Sequence, residues 1–296
     1  KRQVYGRLGR KAVIGARFSS TILACPTTTL TIMLTRLSQL WLLLTLSLCG
    51  VASFAALDPG SSTVLITGSN RGIGLALVER YVDEGWNIIA TARKPEKATE
   101  LKALQTQYSK IVIEQLDVTD HGGVEALAAR YRDQPIDVLI NNAAVLGELP
   151  AQTVGGLDYD LFEQVMAVNV YGPLKLAEAF ADHVQASEQK KIISITSGLG
   201  SIAFARRMGG FYYYRMSKAA LNMGMQGLHA DLSKRGIIVG LVSPGMVDTQ
   251  LLRDSGYRGE SLSTQESATG LYEIIDAMTT DDPGKPINVD GTVLPW

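Results

Sequence analysis

Apolar positions along this chain change spacing again and again from Ser61 onward. Residues 63–67 (TVLIT) form a short continuous run rich in β-branched side chains, which predicts a buried strand. Residues 72–85 (GIGLALVERYVDEG) then place their apolar side chains at helical spacing and stop on glycine. The alternation continues with a strand at 87–92, a charged amphipathic helix at 94–108 and a strand at 111–118. Asp120 is placed to cap a helix over about 121–132, and a strand follows at 136–141. A long helix is expected over 158–184, a strand at 191–196, a glycine-containing loop over 198–210 and a second long helix over 211–234. Strand 236–242, helix 263–278 and a short closing strand at 287–289 complete the pattern. Strands that are apolar throughout, each followed by a helix, predict a parallel sheet covered on both faces.

Composition changes this picture only at the N-terminus. The chain has 296 residues and a formal charge of −1, but residues 1–57 hold seven basic side chains and no acid. The remainder, 58–296, carries 21 basic and 29 acidic residues, a net of −8, which argues against nucleic acid as its partner. Residues 1–57 are therefore read apart, as a leader. From Met33 the sequence reads as a secretory signal, and with the upstream residues included it resembles a transit peptide. The apolar stretch 40–57 near the lower length limit for a span leaves an anchor, and with it membrane contact, open. Both cysteines, Cys25 and Cys49, lie in this leader, so the body has neither a thiol nucleophile nor a thiolate metal site. His121, His183 and His229 have no ligand spacing, and no metal is expected.

Chemistry first shows in TGSNRGIG, residues 67–74, between the first strand and the first helix. Gly68 permits a sharp turn, and Gly72 and Gly74 allow backbone to approach a pyrophosphate at the helix N-terminus. The strand–turn–helix setting makes 58–296 a single doubly wound α/β domain of Rossmann type with a parallel sheet of about seven strands. Where NAD-binding folds place an acid beside the ribose 2′-hydroxyl, this chain has Arg93 and Lys94. An arginine matches a 2′-phosphate, and Arg71 inside the turn adds a second charge, so NADPH/NADP is the expected cofactor. Lys94 is equally well explained as the start of an exposed helix.

Three tyrosines stand in FYYYRMSK, residues 211–218, and only Tyr214 lies four residues ahead of a lysine, Lys218. Residues i and i+4 are neighbours on a helix face. A cation about 5 Å from a phenol, at an effective dielectric of about 20, favours the phenolate by roughly 3 kcal/mol, about two pKa units. Tyr214 is therefore expected to have a lowered pKa. Tyr212 and Tyr213 are read as a packing stripe, either of which could still line a substrate pocket.

The ordered set TGSNRGIG, NNAA (141–144), Asn169 in VNVYGP, Ser197 in SITSG, YRMSK (214–218) and PGMVDT (244–249) resembles the motifs of the short-chain dehydrogenase/reductase superfamily. The likeness runs from about Thr63 to the end, and YYYRMSKAALNM with the closing DGTVLPW resembles the C-factor and sniffer-like carbonyl reductases. That resemblance implies catalysis by Tyr214, Lys218, Ser197 and Asn169, with Asn169 helping to hold a water behind Lys218. It implies cofactor contacts from Gly68, Asn70, Arg71, Gly72, Ile73 and Gly74 of the turn. Further contacts are implied from Arg93, Asp117, Asn142, Lys218, Pro244, Val247 and Thr249, with Asp117 beside the adenine and Thr249 at the nicotinamide carboxamide. Asp117 reads equally as a turn residue. Ser197 stands 17 residues before Tyr214, several more than is usual in the family, and the extra length falls in 203–210. Family members usually have glycine where Ala144 stands, so a shift of that loop is expected.

The implied activity is NADPH-dependent reduction of an aldehyde or ketone, or the reverse, in a compartment that holds NADPH. The implied partner is a small-molecule carbonyl substrate, with a homo-oligomer expected through the two long helices. A non-enzymatic NADP-binding signalling protein, or an isomerase or dehydratase on the same fold, are the alternatives. The short C-terminal region disfavours the latter.

Overall fold

A computed structural model describes residues 57–207, 209–282 and 284–296. The leader expectations, including membrane contact from 40 to 56, lie outside the described residues. Among the described residues no helix is long and apolar enough to cross a membrane.

Seven parallel strands form one sheet in the order β3-β2-β1-β4-β5-β6-β7. They are β1 (Thr63–Ile66), β2 (Asn87–Ala92), β3 (Ile111–Gln115), β4 (Val138–Asn141), β5 (Lys191–Ile195), β6 (Ile238–Ser243) and β7 (Ile287–Asn288). Register is in phase across the centre, with Val64 level with Ile88 on one side and Val138 on the other. β1, β2, β4 and β5 are buried on both faces, which is why they read as unbroken apolar runs.

The helices divide between the two faces. α1 (Gly72–Asp83) packs on α8 (Thr264–Ala277) over one face, where Tyr81 meets Trp86 and Tyr272 edge-on at 5.0 and 4.9 Å. α2 (Thr99–Gln107) joins the same cluster through Leu101. The other face is covered by α3 (His121–Arg130), α5 (Gly172–Gln185) and α6 (Tyr212–Leu232), with Phe180, Leu176 and Met225 at its centre.

Caps follow the sequence signals. Asp120 accepts from Gly123 N–H, Asp158 from Asp160 and Leu161 N–H, and Ser263 with Glu266 forms a reciprocal capping box. Several elements differ from expectation. The helix expected over 94–108 is a 3₁₀ turn (Pro95–Lys97) and then α2, because Pro95 sets a separate first turn. The long helix over 158–184 is α4 (Tyr159–Met166), a π turn (Ala167–Tyr171) and α5. A short helix, α7 (Gln250–Asp254), lies in a stretch where the sequence suggested none.

Strand order reverses between β1 and β4. The crevice at the carboxyl ends of those strands is where a doubly wound sheet presents its ligand site. One cavity of about 2220 Å³ opens there.

Candidate active site

The cavity begins at the turn after β1. Gly68 and Gly72 have φ of +68° and +58°, in the region that favours glycine. A Cβ on Gly74 would stand 2.4 Å from Asn142 Nδ2 and 2.4 Å from the Gly68 carbonyl. The turn therefore folds on itself with no room for a side chain, and it leaves backbone facing the cavity. α1 begins at this point with no side-chain cap from Arg71, so its first N–H groups are free for an anion. Asn142 braces the turn, donating from Nδ2 to the carbonyls of Thr67 (2.8 Å) and Gly68 (3.1 Å). Asn70, Arg71, Ile73 and Asn142 all line the cavity.

At the end of β2, Arg93 and Lys94 line the same cavity, with Lys97 of the 3₁₀ turn beside them. Asp117 lines it too, and its Oδ1 accepts from both the backbone N–H and the hydroxyl of Thr119. Asp117 thus serves as a turn residue at the cavity wall. Ala144 also lines the cavity. It does not have a positive φ, so alanine sits there without backbone strain.

The segment after β6 forms the opposite wall. Pro244, Val247 and Thr249 line it, and a Cβ on Gly72 would lie 3.5 Å from Thr249 Cγ2. Thr249 caps α7, its hydroxyl accepting from Leu252 N–H. Phe204, Phe211, Leu252, Tyr257 and Leu294 give the outer cavity an apolar surface. The loop after β5 is held at its base by the C-terminal residue, whose carbonyl accepts from Ala203 N–H (2.8 Å) and the Ser201 hydroxyl (3.2 Å).

Ser197, Tyr214 and Lys218 meet at the centre. Ser197 follows β5 and lines the cavity together with Tyr214, and its hydroxyl favours the Tyr214 phenolate. The rival hydroxyls face inward: Ser194 donates to Met225 sulfur, and Thr196 donates to Asn222 Oδ1 at 2.6 Å. Gly200 brings the turn after Ser197 against α6, since a Cβ there would lie 2.9 Å from Lys218 Cβ. Neither Tyr212 nor Tyr213 lines the cavity, and Tyr213 packs edge-on to Phe162 at 5.3 Å.

The expected acidification of Tyr214 is not met. Burial pushes the phenol up to about 12, against a smaller lowering by Ser197. Lys218 Nζ donates to the Ile195 carbonyl at 2.8 Å and stands 5.7 Å from the Tyr214 ring centre. Burial lowers its own pKa to about 8. Two ionisable groups share one dry site, and each is pushed toward its neutral form. The sequence shows the pairing but not the desolvation.

Asn169 lies in the π turn with its side chain fully engaged. It accepts from Val145 N–H and donates to the Val145 carbonyl, both at 2.9 Å, and donates to Ser217 Oγ at 3.0 Å. It joins the loop after β4 to α6. Its own backbone carbonyl lacks the usual helical donor, because the residue four ahead is Pro173, which has no N–H. π turns of this kind recur at functional sites. One polar residue escaped the sequence reading altogether. Gln152, fully buried in a 3₁₀ turn (Pro150–Gln152), contacts the backbone of Tyr214. A lone glutamine in a loop carries no pattern that could have marked it.

Comparison with known proteins bears on the whole domain. Residues 62–258 match the model of the short chain dehydrogenase family. A Rhodococcus 1-hydroxy-2-glutathionyl-2-methyl-3-butene dehydrogenase is 35% identical over 238 residues, 79% of this chain and 100% of that protein. The NADPH-bound carbonyl reductase from chicken fatty liver is 30% identical with a TM-score of 0.71, covering 80% of this chain and 99% of that one. Carbonyl reductase Sniffer of Drosophila melanogaster is 29% identical with a TM-score of 0.72, covering 80% and 100%. Motif order, sheet order and these likenesses converge, and the chain belongs to the short-chain dehydrogenase family, among its oxidoreductases of the carbonyl and alcohol groups.

Proposed function

We propose that this protein reduces an aldehyde or ketone with NADPH, Tyr214 serving as the acid, and runs the reverse oxidation when alcohol and NADP are supplied. The observation that carries the reading is the meeting of Ser197, Tyr214 and buried Lys218 in the same cavity as the glycine turn.

The residues fit a 2′-phosphorylated dinucleotide. The turn at Gly68, Gly72 and Gly74 excludes side chains and α1 opens onto it uncapped, which suits a pyrophosphate. Arg71, Arg93 and Lys94 supply the positive charge that a 2′-phosphate needs, and the chicken relative carries NADPH. When bound, NADPH supplies a hydride to the carbonyl carbon.

The chain's own groups act on the oxygen. Tyr214 keeps its proton at neutral pH, because burial holds its pKa near 12, so it is a standing donor to a carbonyl oxygen. Ser197 Oγ donates to the same oxygen as negative charge develops. Tyr214 then gives up its proton, and the Lys218 ammonium, 5.7 Å from the ring centre, stabilises the phenolate that remains. Phe204, Phe211, Tyr257 and Leu294 favour a carbonyl compound with an apolar or aromatic body.

NADPH oxidation followed with a panel of aliphatic and aromatic aldehydes and ketones tests the proposal. Turnover with NADPH in preference to NADH is expected. NADPH binding with no turnover of any carbonyl would favour the non-enzymatic nucleotide-binding reading instead.

A further inference from the structure

We infer that Gln152 is a positioning residue for Tyr214, holding the first turn of α6 in place from a loop 62 residues away in sequence. The inference rests on the reading of Tyr214 as the acid.

α6 begins without a cap of its own. Its N-cap is Phe211, which has no side-chain acceptor and has φ of +54°, a left-handed conformation costly for a bulky residue. The first intrahelical bond runs from Arg215 N–H to the Phe211 carbonyl at 2.8 Å, so the N–H groups of residues 212–214 have no helical acceptor. A serine or aspartate at the N-cap would normally accept from the third of these. Here Gln152 Oε1 accepts it instead, from Tyr214 N–H at 3.1 Å. The catalytic tyrosine itself is thus the residue whose backbone is capped from outside.

The other end of the amide is anchored as firmly. Nε2 donates to the Leu146 carbonyl at 2.9 Å and reaches the Glu148 carbonyl at 3.5 Å. A donor on one side and two carbonyls on the other fix which way the amide faces. Gln152 is 0% exposed, and the loop closes over it through Gly147, whose φ is +77°. A Cβ on Gly147 would lie 3.2 Å from Gln152 Nε2. The carbonyl of Tyr214 is held separately, accepting from Ser217 Oγ at 2.7 Å, and that hydroxyl accepts from Asn169. Both backbone polar groups of Tyr214 therefore lead back to the loop after β4, one through Gln152 to Leu146 and one through Ser217 and Asn169 to Val145. Two braces on one residue fix where its phenol stands relative to Ser197. A displacement of even 1 Å in such a group costs on the order of a hundredfold in rate.

The test uses Gln152→Met, which keeps length and volume but loses both the acceptor facing Tyr214 N–H and the donor facing the Leu146 carbonyl. Gln152→Asn, one methylene too short to reach, is the milder second variant. Steady-state carbonyl reduction, NADPH affinity by fluorescence, and deuterium exchange across 211–218 are measured on the full chain. Gln152→Met and Gln152→Asn should lower kcat by about tenfold or more. NADPH affinity should stay within about twofold, and exchange should quicken at the start of α6. Unchanged kcat in Gln152→Met or Gln152→Asn, or a loss of kcat without quickened exchange at the start of α6 or with an equal loss of NADPH affinity, overturns the inference. Tyr214→Phe, run alongside, separates the two readings. An active Tyr214→Phe removes the assignment of Tyr214 and this inference with it, whereas an inactive one beside an active Gln152→Met removes this inference alone.

Discussion

Replacing Lys218 by methionine should change how stability depends on pH, by an amount the structure sets. Lys218 is 3% exposed, and burial lowers its pKa to about 8 in the fold, against an ordinary 10.5. Below pH 8 both folded and unfolded chains carry the proton, and the fold bears the whole cost of a buried ammonium. Between those two values the unfolded chain binds more protons than the folded one, so stability rises with pH. Integrated from pH 7 to pH 10, this single group should add roughly 2 to 3 kcal/mol to folding stability. Lys218→Met has no such proton and no such gain. Urea unfolding of both proteins at pH 7 and pH 10 measures the effect as a difference of differences, which cancels every group common to the two. Tyr214 is among the cancelled groups. Its raised pKa acts with the opposite sign, because the fold holds a proton that the unfolded chain loses above pH 10. Parallel pH dependence in the two proteins would refute the buried-ammonium argument.

Three further outcomes are expected at the site. Tyr214→Phe should abolish carbonyl reduction and leave NADPH affinity near normal, while Tyr212→Phe and Tyr213→Phe keep most activity; kcat for the three variants decides it. Ser197→Ala should lower kcat by ~10²-fold or more, whereas Ser194→Ala should not, because Ser194 is spent on Met225 and Asn141 inside the fold. Arg93→Ala should raise KM for NADPH by about tenfold and leave KM for NADH little changed, as loss of one charged contact to phosphate predicts.

Much of this molecule was legible because its signals are local. β1, β2, β4 and β5 were visible as apolar runs, since a parallel strand covered on both faces has no polar side to interrupt it. Asp120, Asp158 and Ser263 cap the helices they precede. Tyr214 stood out from its neighbours by a spacing that only a helix makes meaningful. What escaped depends on contacts distant in sequence. Gln152 and Tyr214 become partners only after β4, its loop and α6 converge. The direction of the Tyr214 pKa depends on burial, which outweighs the charge that the sequence does show. α7 is five residues long, too short for a period to register. The split at Pro95 was readable in principle, because proline ends or begins a turn wherever it falls.

The π turn at Ala167–Tyr171 sets how this chain tolerates changes of length. A π turn is an α-helix with one residue too many, so deleting any one residue there offers the backbone a regular helix. That regular helix would keep α4 and α5 nearly in register, because the extra residue adds almost no turn or rise, but it would remove the widened turn that holds Asn169. Asn169 would then swing off Val145 and Ser217, and Tyr214 would lose one of its two tethers. The loop over 198–210 behaves oppositely. It is fastened at Ser201 and Ala203, and the span before α6 absorbs extra residues without moving either Ser197 or the helix. Within one active site, then, the turn that carries Asn169 counts residues strictly and the loop does not, so insertions and deletions that leave the chemistry intact should collect in the loop between Ala203 and α6.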